Sequence, residues 1–284
     1  MTVKRKSTNT QQRALQNRFV ELNGYWSSGW EAVLRGDKDF FEACLELMGA
    51  PAKLEKLQPS MRELIHIAIN VACTHFNAAG TRRHVRRALD KGATSNEIAE
   101  TVQLAAVLGI HSCSIGVPLL LTLNGTSDGT DGSETAQLDA SRQQLKDNFI
   151  AKRGYWTPIW DGLLQRSPDF FAAYTRFSST PWEKGVLSPK NKELIYIAID
   201  IVTNHLFVPG TEIHMKNALG YGASIDEILE VIETVSLIGL DSAALGFEIL
   251  EEEMGRQLGR SAGKGRTPVR RVLRRSSSRK RKDN

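Results

Sequence analysis

Apolar residues recur along this chain at steps of three and four, and nowhere do they alternate with polar ones as in a half-buried strand. The spacing of Phe19, Leu22, Trp26, Trp30 and Leu34 predicts a helix over residues 17–34, with Gly24 inside it and an aromatic stripe of the kind that packs a core or a subunit contact. Asp39 is placed to cap a second helix, Phe40 to Met48. The dense run Leu64, Ile65, Ile67, Ala68, Ile69, Val71 and Ala72 predicts a third, buried on most sides, from about Met61 to His75. After a break at residues 77–80, a fourth helix starts with Thr81 as its expected cap and stops at Gly92. Thr94 and Glu97 then form a capping box for a fifth helix ending near Leu108. Beyond it lie Gly109, Ser112 and Gly116, small side chains spaced to admit a neighbouring helix. The pattern is all-α.

The whole series occurs twice. An offset of 130 carries Gly24-Tyr25-Trp26 onto Gly154-Tyr155-Trp156, Glu63-Leu64-Ile65 onto Glu193-Leu194-Ile195, and Gly92-Ala93 onto Gly222-Ala223 with no gap. So long an ungapped match marks tandem duplication of a domain rather than a solenoid. The expected division is a flexible leader (1–16), a first helical domain (17–123), a linker rich in Gly, Ser, Thr and Asp (124–140), a second domain (141–255) and a disordered basic tail (256–284).

Charge sharpens the last boundary. The chain carries +5, but the residues after Gly255 hold twelve Lys or Arg against one acid, leaving +11 there and −6 on residues 1–255. The run from Arg270 to Lys282 is too poor in apolar residues to fold alone. It offers phosphate neutralisation, hence a nucleic-acid contact, with a merely solvated end as the alternative. No uninterrupted apolar run reaches the roughly 18–20 residues needed to cross a bilayer. The polar, basic start does not read as a secretory signal. Cys44, Cys73 and Cys113 are scattered, with no Cys-x-x-Cys, which fits a reducing compartment and packed thiols. A cytoplasmic protein without a membrane partner is expected.

Four of the six histidines form the repeated pairs His75/His84 and His205/His214, bracketing the corner between the third and fourth helices. His84 and His214 are expected at the positive leading end of a helix, which favours neutral imidazole and so a general base. Glu63 and Glu193 enter the same region and suit the role of an orienting or proton-accepting carboxylate. The structural alternative assigns these side chains to capping and helix-end packing. His66 and His111, present in one copy each, read as solvated or packed. A spacing of His-x8-His does not preform a metal site, and the constellation requires neither metal nor cofactor.

The motif Glu-Leu-Ile-x-Ile-Ala-Ile, a helix break, then His-x3-Ala-Leu-x2-Gly-Ala-x3-Glu-Ile resembles the carboxymuconolactone decarboxylase family, which includes alkylhydroperoxidase D-type enzymes. The tandem form is similar to two-domain gamma-carboxymuconolactone decarboxylase subunit-like proteins, and the likeness covers residues 24–121 and 154–251. It implies an all-helical fold, a homotrimer of two-copy chains arranged as a pseudo-hexamer, and decarboxylation of a small carboxylated lactone. His84, His214, Glu63, Glu193, His75 and His205 are its candidate site residues. The peroxidase branch uses Cys-x-x-Cys-x3-His, and its cysteine positions hold Asn77 and Gly80, or Phe207 and Gly210, so that activity lacks its nucleophile. A non-catalytic oligomeric scaffold is the other reading.

Overall fold

The computed structural model describes residues 2–124 and 138–264, and no strand occurs among them. The first copy forms α1 (Thr2–Asn23), α2 (Ser28–Gly36), α3 (Lys38–Gly49), α4 (Pro59–Val71), α5 (Ala78–Asp90), α6 (Ser95–Ala106) and α7 (His111–Leu123). The second repeats them as α8 (Ala140–Arg153), α9 (Asp161–Arg166), α10 (Pro168–Lys184), α11 (Pro189–Ile201), α12 (Val208–Gly220), α13 (Ile225–Ser236) and α14 (Leu240–Lys264).

Both capping boxes form as the sequence predicts, and Gly92 and Gly222, each at φ +85°, close α5 and α12. Other boundaries differ for local reasons. The helix expected over 17–34 breaks at Gly24, whose φ of +73° turns the chain between α1 and α2. The leader is drawn into α1, where Leu15 is buried. Asp37, rather than Asp39, caps α3 by accepting from Phe40 N at 2.9 Å. The buried helix α4 stops at Val71, short of His75, and Asn77 caps α5 by accepting from Gly80 N. Thr81 and Thr211 therefore sit inside their helices, their hydroxyls donating to Asn77 O and Phe207 O. Helix α14 continues to Lys264, into the region assigned to the tail. Linker residues 125–137 and tail residues 265–284, including the run from Arg270 to Lys282, lie outside the described residues.

The two copies share one continuous core centred on α4 and α11, where Leu64, Ile65 and Ile67 pack with Leu194, Ile195 and Ile197. The last helix of each copy is exchanged: α7 packs on α9, and α14 packs on α2. Glycines of the receiving helices permit the approach. A Cβ on Gly29 would stand 2.7 Å from Ala244 O, and one on Gly162 would stand 2.6 Å from a methyl of Leu121. Gly109 and Gly116, expected to serve this purpose, face open space. Phe19, Trp30 and Phe41 form a satellite core that Leu240 and Phe247 of α14 complete, so the aromatic stripe is packing, as its spacing suggested.

Two buried carboxylates fasten the copies reciprocally. Glu230 on α13 accepts from Lys56 N and Leu57 N at 2.8 and 3.0 Å and from Arg62 at 3.3 Å. Glu100 on α6 accepts from Val186 N and Leu187 N at 2.6 and 2.8 Å. Lys192 Nζ lies 3.0 Å from Glu100 Oε1, an ion pair by distance but off the line of a hydrogen bond; Lys192 donates instead to Pro181 O at 2.8 Å.

The stretch Ser95–Leu123 is long and apolar enough, by length and composition, to cross a membrane. Its α6 part packs against α4 and α11, whereas Leu119, Leu120 and Leu123 on α7 are exposed and Pro118 interrupts the hydrogen bonding of that helix.

Close packing at the start of α5 gives a direct stability test. A Cβ on Gly80 would stand 2.1 Å from Asn70 Oδ1, on the buried face of α4. Gly80→Ala is expected to cost ~1–3 kcal/mol, as overpacking does, read as a lower midpoint in urea unfolding. An unchanged midpoint would mean that α5 shifts off α4 without penalty.

Candidate functional site

On α4, Glu63, His66 and Asn70 follow one another at three and four residues and share a face; on α5 and its C-cap, His84, Arg87 and Lys91 do the same. Packing of α4 on α5 brings the two faces together around the buried Glu63. His84 Nδ1 is 2.8 Å from Glu63 Oε2, Arg87 Nε donates to Oε1 at 2.9 Å, and Lys91 Nζ donates to the same oxygen. Burial alone would raise the Glu63 carboxyl. The hydrogen bond from His84 and the charges of Arg87 and Lys91 override it and hold the group well below the usual carboxylate range. An ionised carboxylate only accepts, so His84 carries its hydrogen on Nδ1 and keeps a lone pair on Nε2.

Burial pushes His84 below the ordinary imidazole value; Glu63 opposes the shift, while Arg83 and Arg87 reinforce it. The neutrality expected from sequence thus has a different cause. With α5 beginning at Ala78, His84 stands in the second turn, where the helix dipole has faded. His66 stacks on His84 with centroids 4.3 Å apart, and burial drives it well below the ordinary value too.

These groups line a cavity of about 230 Å³. Its wall carries four cations, Arg62, Arg83, Arg87 and Lys91, against Glu63 and Asp241. Arg62 and Arg87 already serve Glu230 and Glu63. The Arg83 guanidinium lies over the Tyr25 ring at 4.1 Å and forms no ion pair among the described residues. Asp241 belongs to α14 of the other copy, so helix exchange closes this cavity.

The second copy keeps the dyad and changes its surroundings. His214 Nδ1 is 2.5 Å from Glu193 Oε2, but Asn217, Tyr221 and Ile213 stand where the first copy has Arg87, Lys91 and Arg83. Tyr196 replaces His66 and stacks on His214, and Asp200 replaces Asn70. The cavity shrinks to about 60 Å³. Arg153 on its wall is engaged, donating to Ser178 O at 2.8 Å and lying over Trp182. Burial pushes the Asp200 carboxyl up to about 7.

His75 and His205 do not join the dyads. Both lie in the turn after the buried helix, just before the left-handed residues Phe76 (φ +48°) and Leu206 (φ +52°). His75 lines neither cavity, and its Nε2 is buried without a hydrogen-bond partner among the described residues. His205 instead pairs with His111 at 2.7 Å. Sequence reasoning missed Arg83, Arg87, Lys91 and Asp200, and set aside His66 and His111. For His66, Arg87, Lys91 and Asp200 the signal existed: each falls on the helical face of Glu63, His84 or Glu193. For His111 and Asp241 there was none, because only exchange of the last helices delivers them. Trp30 and Trp160 reach the cavity walls, whereas Trp26 and Trp156 stay with the aromatic cores. Cys44 is buried and Cys113 half-buried, but Cys73 is exposed rather than packed.

The model of the carboxymuconolactone decarboxylase family matches residues 38–110 and 168–252. A solved structure from Burkholderia xenovorans LB400, provisionally described as a gamma-carboxymuconolactone decarboxylase subunit, is 41% identical and superposes with a TM-score of 0.82, covering 87% of this chain and 98% of its own. No curated protein matches the chain.

Proposed function

The chain belongs to the carboxymuconolactone decarboxylase family, and we propose that its first-copy cavity carries out cofactor-free lyase or isomerase chemistry on a small carboxylated lactone or related acid. The observation that carries this reading is the Glu63–His84 dyad on the wall of a cation-lined cavity. Arg83 takes the substrate carboxylate, since it is the cation there without an ionic partner among the described residues. Loss of CO2 breaks a carbon–carbon bond and leaves its electron pair in the conjugated lactone as a dienolate. His84 Nε2 accepts a proton from solvent and passes it to a carbon of the dienolate, so one proton is consumed per CO2 released and the imidazole returns to its neutral form. The cations steady the developing negative charge. His214 and Glu193 keep the same relation in a smaller, less basic chamber, which we place in a secondary role.

No thiol lines either cavity among the described residues, which supports acid–base chemistry over peroxide reduction. A homotrimer is the assembly we infer. Leu119, Leu120 and Leu123 on α7 and Ile249, Leu250 and Met254 on α14 are exposed, as an assembling surface requires.

A screen of lactone acids and muconate-type acids by turnover and thermal shift tests the proposal, and a set that gives neither would reject it. For an acid that binds, Arg83→Gln is expected to weaken affinity about tenfold or more, the worth of a charge-assisted hydrogen bond. The methyl ester of the same acid should show no such loss, and equal losses for acid and ester would remove Arg83 from carboxylate binding.

A further inference from the structure

A second set of groups, which that reaction leaves unused, gathers at the edge of the smaller cavity. We propose that His111, Asp200 and His205 hold a divalent transition-metal ion, with Zn²⁺ the first candidate. One donor atom from each residue lies within 4.8 Å of the other two. The His111 ring lies between the other two, with Nδ1 2.7 Å from His205 Nε2 and Nε2 3.9 Å from Asp200 Oδ1, and only one of its nitrogens can ligate the ion. Two imidazoles and one carboxylate form a donor set that suits Zn²⁺ or Fe²⁺ and leaves coordination positions open.

Asp200 points to the ion independently. It is 1% exposed, and its Oδ2 has no hydrogen-bond partner among the described residues. Its close ionisable contacts are His111 and His214, each 3.9 Å away, and no Lys or Arg pairs with it among the described residues. A buried carboxylate without a counter-charge is costly, and a dication removes that cost.

The ligands are also prepared. His111 is stacked on Phe207 with centroids 3.9 Å apart, which fixes its ring. The contact at 2.7 Å is one imidazole donating to another, and the ion replaces that shared proton. Two nitrogens ligating zinc at about 2.0–2.1 Å stand roughly 3.3 Å apart, so the rings part by about half an ångström. His205 is partly exposed and gives the ion a path from solvent. The duplication supplies a control, because the matching positions at the larger cavity hold Asp241, Asn70 and His75, with an amide in place of the buried carboxylate.

The experiment takes the untagged full-length chain, strips it with a chelator, and follows Zn²⁺ by equilibrium dialysis with elemental analysis. Co²⁺ serves as a parallel probe through its visible absorption. We expect about one ion per chain and a raised thermal midpoint, because the ligands join α7 of the first copy to the second. His205→Gln and His111→Gln should each weaken binding by at least the ~10–100-fold seen when a shell residue is disturbed. His75→Gln should change nothing. No retained ion in the wild-type chain would overturn the site, as would undiminished uptake by His205→Gln. Because His205 sits in a partly exposed turn, that variant is expected to keep the wild-type circular dichroism.

Discussion

Replacing His84 with Gln is expected to lower kcat/KM by about 10²–10⁴-fold, the usual contribution of a positioned general acid–base group. Gln keeps a donor for Glu63 and nearly the same bulk, so the carboxylate and its two other partners, Arg87 and Lys91, retain their contacts. What disappears is the Nε2 lone pair, the atom through which the proton passes. Binding of the substrate carboxylate should survive, because Arg83 is untouched, and the loss should fall on kcat. His214→Gln, in the narrow chamber, is expected to cost far less. Equal losses from the two variants would spread the reaction over both copies, and no loss from either would end the acid–base assignment. Steady-state kinetics on the acid identified by screening decides among these.

Glu100→Ala should produce the largest stability change, about 3–5 kcal/mol, because it strands a buried cation. Lys192 is 3% exposed, and without Glu100 it has no carboxylate within ion-pair distance among the described residues. Val186 N and Leu187 N lose their acceptor at the same moment. For a chain of this size the midpoint should fall on the order of 10 °C. Glu100→Gln keeps an oxygen for both amides, which share Oε2 in the wild type, and should cost less. A thermal midpoint within a degree or two of wild type for the Ala variant would show that water reaches Lys192, and that the clasp between the copies is not what holds them.

How far the sequence leads depends on whether a signal is local. The duplication, the all-helical pattern, both capping boxes and the Glu63–His84 relation follow from spacing, which reports helical faces directly. The helix over 17–34 failed because Gly24 inside an apolar period looks tolerable until its left-handed conformation is seen. The expected cap at Thr81 failed similarly: Asn77 is an equally good cap four residues earlier, and the choice between them depends on where α4 ends. The shared core was beyond reach because period and composition describe one helix at a time. Nothing in the spacing of Asp241 or His111 says that each completes a cavity assembled by the other half of the chain.

That reciprocal exchange of α7 and α14 has a consequence for how the two chambers can differ. In a pair of identical single-copy subunits, any substitution would appear in both chambers at once. Here α14 walls only the larger chamber and α7 only the smaller, so a change at Asp241 or His111 alters one and leaves the other alone. Fusion of two equal halves thus allows one chain to carry two unequal compartments, each tuned by a helix encoded far from the residues it faces.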